Sequence, residues 1–289
     1  MRNLSILFLL LLPGPSAFTQ DYIFRVMANK GSNMAKTSTD DTWKPIKFGD
    51  ALHAGYWVKV VDKAYLGLVH NSGKTAALED PGEFKIESIE TSIKNKKKGL
   101  GAKYTDFVFE AIGNEDLFGE DKVVTRGISD QVFVELPPDA EVVHSKVHLR
   151  WKSINEYDEY VVTVKGIFDD VLARIDVKGV YTILDLNDEA LSNEQTFVIV
   201  VSVKGDESIR SGDHIINRLN DEDLQQMIPT PEENNVITSM DLIVLASYYE
   251  INNLLIDASN FYSEAMLKSP DVEDFKKIYD SFISRHGLK

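Results

Sequence analysis

Apolar and polar positions change period three times along the 289-residue chain. From 21 to 90 the period is two. Tyr22 to Ala28 alternates, Tyr56 to Val61 and Ala64 to Val69 flank Asp62-Lys63, and Lys74 to Glu79 and Glu83 to Ile86 add two more strands. Gly49, Gly55, Asn71-Ser72-Gly73 and Pro81-Gly82 break these runs as turns do. The pattern predicts a small all-β domain over 20–90. Across 91–126 the period lengthens: Leu100, Tyr104, Phe107, Val108, Ala111 and Ile112 share one helical face, with Lys103, Asp106 and Glu110 opposite. This predicts an amphipathic helix and linker packed on the preceding sheet.

Period two returns over 127–220. Val132, Val134 and Leu136 alternate, as do Val147, Leu149 and Trp151, then Tyr160, Val162 and Val164, then Phe197, Ile199, Val201 and Val203. Turn signals at Gly166, Gly179, Asn187-Asp188 and Gly205-Asp206 divide about seven short strands, which predicts a β-sandwich with Trp151 in its core. Over 221–289 the period is helical. Pro229 and Pro231 lie in a polar linker, Thr238 or Ser239 can cap, and three helices fit near 239–252, 254–268 and 271–286. The fold class is multidomain β + α.

The N-terminus has its own pattern. Arg2, the apolar stretch Leu4–Leu12, the Pro13-Gly14-Pro15 break and the small residues Ser16 and Ala17 read as a secretory signal peptide over 1–19, cut after Thr19. No later apolar run approaches the roughly 20 residues of a membrane helix. With no cysteine in the chain, an exported protein of this size points to bacteria and relies on buried apolar surface for stability.

Charge narrows the partners. The formal charge is −15, and loss of Arg2 with the leader makes it −16. Residues 20–126 are near neutral, whereas 127–220 and 221–289 each carry about eight excess negative charges. That disfavours nucleic acid and broad contact with anionic lipid. The run Lys94-Asn95-Lys96-Lys97-Lys98 is best read as a solvated face.

Motifs of catalysis are missing from the sequence. Gly67 to Thr75 imitates a phosphate-binding loop but has five residues between its glycines where four are needed, and a strand follows where a helix should, so it reads as a hairpin turn. His144 and His148 are four apart on a strand and read as solvent-facing. Asp169-Asp170 and Asp188-Glu189 read as turn and surface residues, and no Gly-x-Ser-x-Gly elbow or metal motif occurs. No catalytic residue, metal or cofactor is assigned. Tyr56 and Trp57 are neighbours in one strand and face opposite ways, so one of them is the candidate interaction surface unless the helix at 100–112 covers it.

Three resemblances add to this reading. Leu242, Leu245, Ala246, Tyr249, Ala258, Tyr262, Ala265 and Pro270 follow the order of one tetratricopeptide repeat, with Leu242 replacing the usual Trp. The small residues sit where two helices approach most closely. One repeat is too short for a solenoid, and a plain three-helix bundle is the alternative. Gly31, Trp43-Lys44-Pro45-Ile46, Gly49-Asp50-Ala51-Leu52, Gly55, Leu66, Leu68, Gly73-Lys74 and Pro81-Gly82 resemble the FecR-like domain of bacterial envelope proteins. Trp151, Tyr160–Val164, Leu184 and Phe197–Val201 resemble a fibronectin type III-like sandwich. All three in this order resemble a family of Bacteroidota envelope proteins. The resemblance implies an exported, most simply periplasmic, non-enzymatic protein that binds or scaffolds other envelope proteins. Two alternatives stand beside it: a glycan or peptidoglycan binder acting through the N-terminal β-domain, and an envelope enzyme that no motif marks.

Overall fold

The computed structural model describes residues 22–94, 131–154, 157–219 and 237–288. The leader, the helix expected at 100–112 and the linker before Thr238 lie outside the described residues.

The N-terminal strands form two four-stranded sheets. One has the order β4 (Ala51–Leu52), β1 (Phe24–Lys30), β6 (Tyr65–His70), β7 (Thr75–Leu78). The other has the order β3 (Lys44–Pro45), β2 (Met34–Lys36), β5 (Trp57–Val60), β8 (Gly82–Lys85). Strands β5 and β6 belong to different sheets, so Asp62-Lys63 turns a corner between them, with Lys63 at φ 57°. Residues 67–75 form the β6–β7 hairpin. The chain does not continue as a strand through Ile86. Helix α1 (Ile86–Ile93) starts there, because Ile86, Ile89 and Ile93 fall on one helical face and close the core of Phe24, Val26, Val58, Leu66 and Leu68.

Strand β6 is apolar on both faces. Leu66 and Leu68 point into this core; Tyr65 and Val69 point the other way and join the core of the C-terminal helices. Gly67 lies between them, and a Cβ there would sit 2.5 Å from Met240 Sδ, so its lack of a side chain lets a helix lie directly on the sheet.

The second β region also has two sheets. Strands β10 (Lys146–Arg150) and β13 (Tyr181–Asp185) pair, and Val134 bridges to Trp151 beside them. Facing them is the order β12 (Val171–Lys178), β11 (Glu159–Lys165), β14 (Thr196–Val203), β16 (His214–Arg218), β9 (Asp139–Val142), with β15 (Asp206–Arg210) paired to β14. The expected strand at Val132–Leu136 is reduced to the single bridge. Inward residues of both sheets, Trp151, Leu149, Tyr160, Val162, Phe197 and Ile199 among them, share one apolar core.

Helices α2 (Ser239–Ile251), α3 (Leu255–Lys268) and α4 (Glu273–Arg285) begin and end within two residues of the spacing-based expectation. Thr238 caps α2 in a reciprocal box with Asp241. No helix of the described residues is long and apolar enough to cross a membrane. The helical core is not self-contained: Met27, Ala28, Tyr65 and Val69 of the N-terminal sheet are part of it, and Ile256 of α3 is part of the sandwich core.

Candidate functional site

Polar residues of the helices form two joints with the β regions. At the first, α3 lies along the edge of β10 that faces away from β13. The Asp257 carboxylate, fully buried, accepts from the backbone N–H groups of Val143 (2.9 Å) and His144 (3.0 Å) and from His144 Nδ1 (2.9 Å). One turn on, the Asn260 amide accepts from His148 N (2.8 Å) and donates to the Lys146 carbonyl (2.5 Å). Asn260 thus occupies the place of a neighbouring strand and closes an edge that would otherwise offer unpaired backbone groups. Another turn on, Ser263 accepts from Arg150 (3.3 Å), and Tyr279 of α4 donates to Glu135 (2.9 Å). Positions 257, 260 and 263 share one helical face, which is why a single helix can follow the strand.

At the second joint, α2 and α4 meet the N-terminal sheet. Asp274 accepts from Asn29 N (2.9 Å), Asp271 pairs with Lys30 (3.1 Å), Thr75 donates to Asp241, and Tyr65 packs edge-on to Phe275. Between the joints Glu250 binds the three helices together. It accepts from Arg285 Nε (3.0 Å) and Nη2 (2.8 Å), His286 (2.8 Å) and Tyr262 (2.8 Å).

The residues that carry the repeat resemblance are therefore structural. Leu242, Leu245, Ala246, Tyr249, Ala258, Tyr262 and Ala265 are buried, and Pro270 is exposed in the turn before α4. Tyr262 does more than fill space: burial and the Glu250 charge push its hydroxyl well above the usual tyrosine range, so it stays a donor.

The histidines correct the expectation that they face solvent. His148 does point opposite Leu149, but α3 covers that face and leaves it buried; Tyr181 OH lies 3.1 Å from its Nδ1. His144 is held by Asp257. Burial, with Arg150 and Lys146 adding to it, lowers the His148 pKa from 6.5 to about 4. The unfolded chain then binds the extra proton first. The stabilisation is complete above about pH 6.5 and is lost as pH falls towards about 4. Glu135, raised by burial, acts in the opposite sense in acid. His148→Gln is expected to flatten the acid side of a stability-versus-pH curve between those limits, measured by urea unfolding.

Tyr56 and Trp57 part as their alternation requires. Tyr56 packs against the N-terminal core, edge-on to His53 (5.5 Å between centroids). Trp57 lies on the outer face, half-buried, opposite Lys36 on one side and Lys85 on the other. Lys36 also reaches over the Trp43 ring, 4.9 Å from its centroid, with Lys59 at 5.7 Å. Extending the β2–β3 register by one residue puts Trp43 opposite Lys36, so one row across the outer face reads Trp43, Lys36, Trp57, Lys85.

A second surface feature escaped the strand reading. The turn joining β11 to β12 presents Ile167 (60% exposed), Phe168 (87%) and Val171 (53%). Its backbone is fixed: Asp169 takes φ 67° and donates N–H to Gly166, Gly166 N donates to the Asp170 carbonyl, and Lys165 pairs with the Asp169 carboxylate at 2.6 Å. Two consecutive large apolar residues inside a tight turn were the available signal. Among the described residues no three His, Cys, Asp or Glu side chains converge as a metal site would require. Compared with known proteins, the chain matches no family model and no curated sequence.

Proposed function

We propose that this is an exported, non-catalytic cell-envelope protein that holds two β-domains in a fixed arrangement and meets another envelope protein through the β11–β12 turn. The exposed Ile167-Phe168 tip carries this reading. Large apolar side chains are rarely left this open on a rigid turn without a partner, and aromatic residues anchor protein interfaces. The use of Asp257 and Asn260 at a joint and of Glu250 within the helices supports a scaffold, because the first two are committed to backbone groups of the sandwich and the third to Arg285, His286 and Tyr262. The order of β12, β11, β14 and β16 against β10 and β13 supports the fibronectin type III-like resemblance. Burial of the small residues Ala246 and Ala258 in the core that α2 and α3 share supports the tetratricopeptide-like one, and the two small N-terminal sheets support the FecR-like one. Export to the periplasm rests on the leader pattern of residues 1–19.

A photoreactive amino acid at position 167, activated in native cells, is expected to give one discrete protein adduct that the same label at Lys178 does not give. Phe168→Ser is expected to abolish the adduct while changing unfolding free energy by less than about 0.5 kcal/mol. A labelled protein without an adduct, or an adduct indifferent to Phe168→Ser, contradicts the reading.

A further inference from the structure

We infer that the outer face of the β3-β2-β5-β8 sheet is a carbohydrate-binding platform that takes an uncharged, extended oligosaccharide across Trp43 and Trp57. This face is separate from the Phe168 tip and adds a second ligand to the proposed function.

Side-chain alternation builds the platform. Val58 and Val60 point into the N-terminal core, so Trp57 and Lys59 point out. The register then sets two parallel rows on the outer face: Trp43, Lys36, Trp57, Lys85 and, beside it, Pro45, Met34, Lys59, Glu83. Each row crosses four strands, roughly 14 Å at the usual strand spacing. Lys36 and Lys59 hold the Trp43 ring by cation–π contact.

Charge selects the ligand class. Lys36 pairs with Asp41 (3.4 Å), Lys59 with Glu83 (3.1 Å) and Lys85 with Glu87 (3.7 Å). Every cation of the face has its own carboxylate, so a polyanion finds no net positive field. A protein partner would need an apolar centre, and the centres of protein interfaces are depleted in Lys, Glu and Asp. Here a charged residue separates the indoles within the row. A run of pyranose rings fits both features: its C–H faces stack on indole, and its hydroxyls bond to the paired ammonium and carboxylate groups beside it. Rows that cross four strands suit an extended chain rather than a compact ligand.

The test is calorimetric titration of the purified protein with cellohexaose, with hexa-N-acetylchitohexaose, and with hexagalacturonate as the charged control. Expected is saturable binding of at least one uncharged hexamer, equal at low and high salt, and weakened about tenfold or more by Trp57→Thr, a substitution that keeps a strand-forming residue. The inference is overturned if neither uncharged hexamer binds, if hexagalacturonate binds more tightly and loses affinity with salt, or if Trp57→Thr binds as well as the parent. Should Trp57→Thr fail to fold, the unmodified protein decides. Its third tryptophan, Trp151, is buried, so acrylamide quenching reads Trp43 and Trp57; bound hexamer that protects indole emission supports the platform, and unaltered quenching overturns it. Crosslinking at the Phe168 tip is read on a different domain, so either result stands without the other.

Discussion

Replacing Glu250 with leucine is expected to lower the free energy of unfolding by about 3–5 kcal/mol. Its carboxylate is 1% exposed and receives hydrogen bonds from Arg285, His286 and Tyr262. Deleting it leaves the Arg285 guanidinium, itself mostly covered, without its countercharge, and leaves the Tyr262 hydroxyl without that acceptor. The damage comes from stranded partners more than from the lost attraction. The double variant Glu250→Leu with Arg285→Met should therefore recover part of the loss, although it removes more polar contacts. Urea unfolding of both variants measures this coupling. A single-variant loss below about 1 kcal/mol would show that the cluster is more hydrated than its geometry implies.

Asp257→Ala is expected to cost about 3 kcal/mol, most of it at the joint between α3 and the sandwich. Two backbone N–H groups, of Val143 and His144, lose their acceptor, and alanine offers none in its place. Asn260 is left to hold the edge of β10. Hydrogen exchange read by NMR localises the effect: the Val143 and His144 amides should exchange much faster, while the Leu66–Val69 amides of the N-terminal sheet keep their protection. Asp257→Asn keeps one acceptor oxygen and is expected to lose about half as much. Uniform loss of protection through the helices would mean that Asp257 supports the helix rather than the joint.

Local structure was legible in the sequence wherever one period and its boundary signals agreed. Thr238 or Ser239 was legible as the cap of α2, and Thr238 takes that place; Ala246 and Ala258, read as small residues between helices, are buried. Trp151 and the Phe197–Val203 alternation marked the sandwich core. What was hidden depended on residues far away in the chain. Alternation placed His148 opposite Leu149, but whether that side meets solvent or a helix is decided by Asn260, 112 residues later. The helical region read as a module with its own core, since nothing local shows that Met27 and Tyr65 complete it. Tyr65 and Val69 held the only trace, because a strand apolar on both faces needs two covers. Trp57 was visible as a candidate, but the row shared with Trp43 follows from the pairing of β2 and β3, strands too short to show a period. At the Phe168 tip, Asp169-Asp170 were read as turn residues and the apolar pair before them was passed over.

These features describe one object: two β-domains fastened to a shared set of helices, with a stacking face on the first and an apolar tip on the second. Scanning calorimetry on the unmodified protein asks most directly whether the helices truly fuse the parts. Joined cores should melt together in a single step, with calorimetric and van't Hoff enthalpies in agreement. Well-separated melting of the N-terminal sheets and the sandwich would mean that the halves are merely tethered.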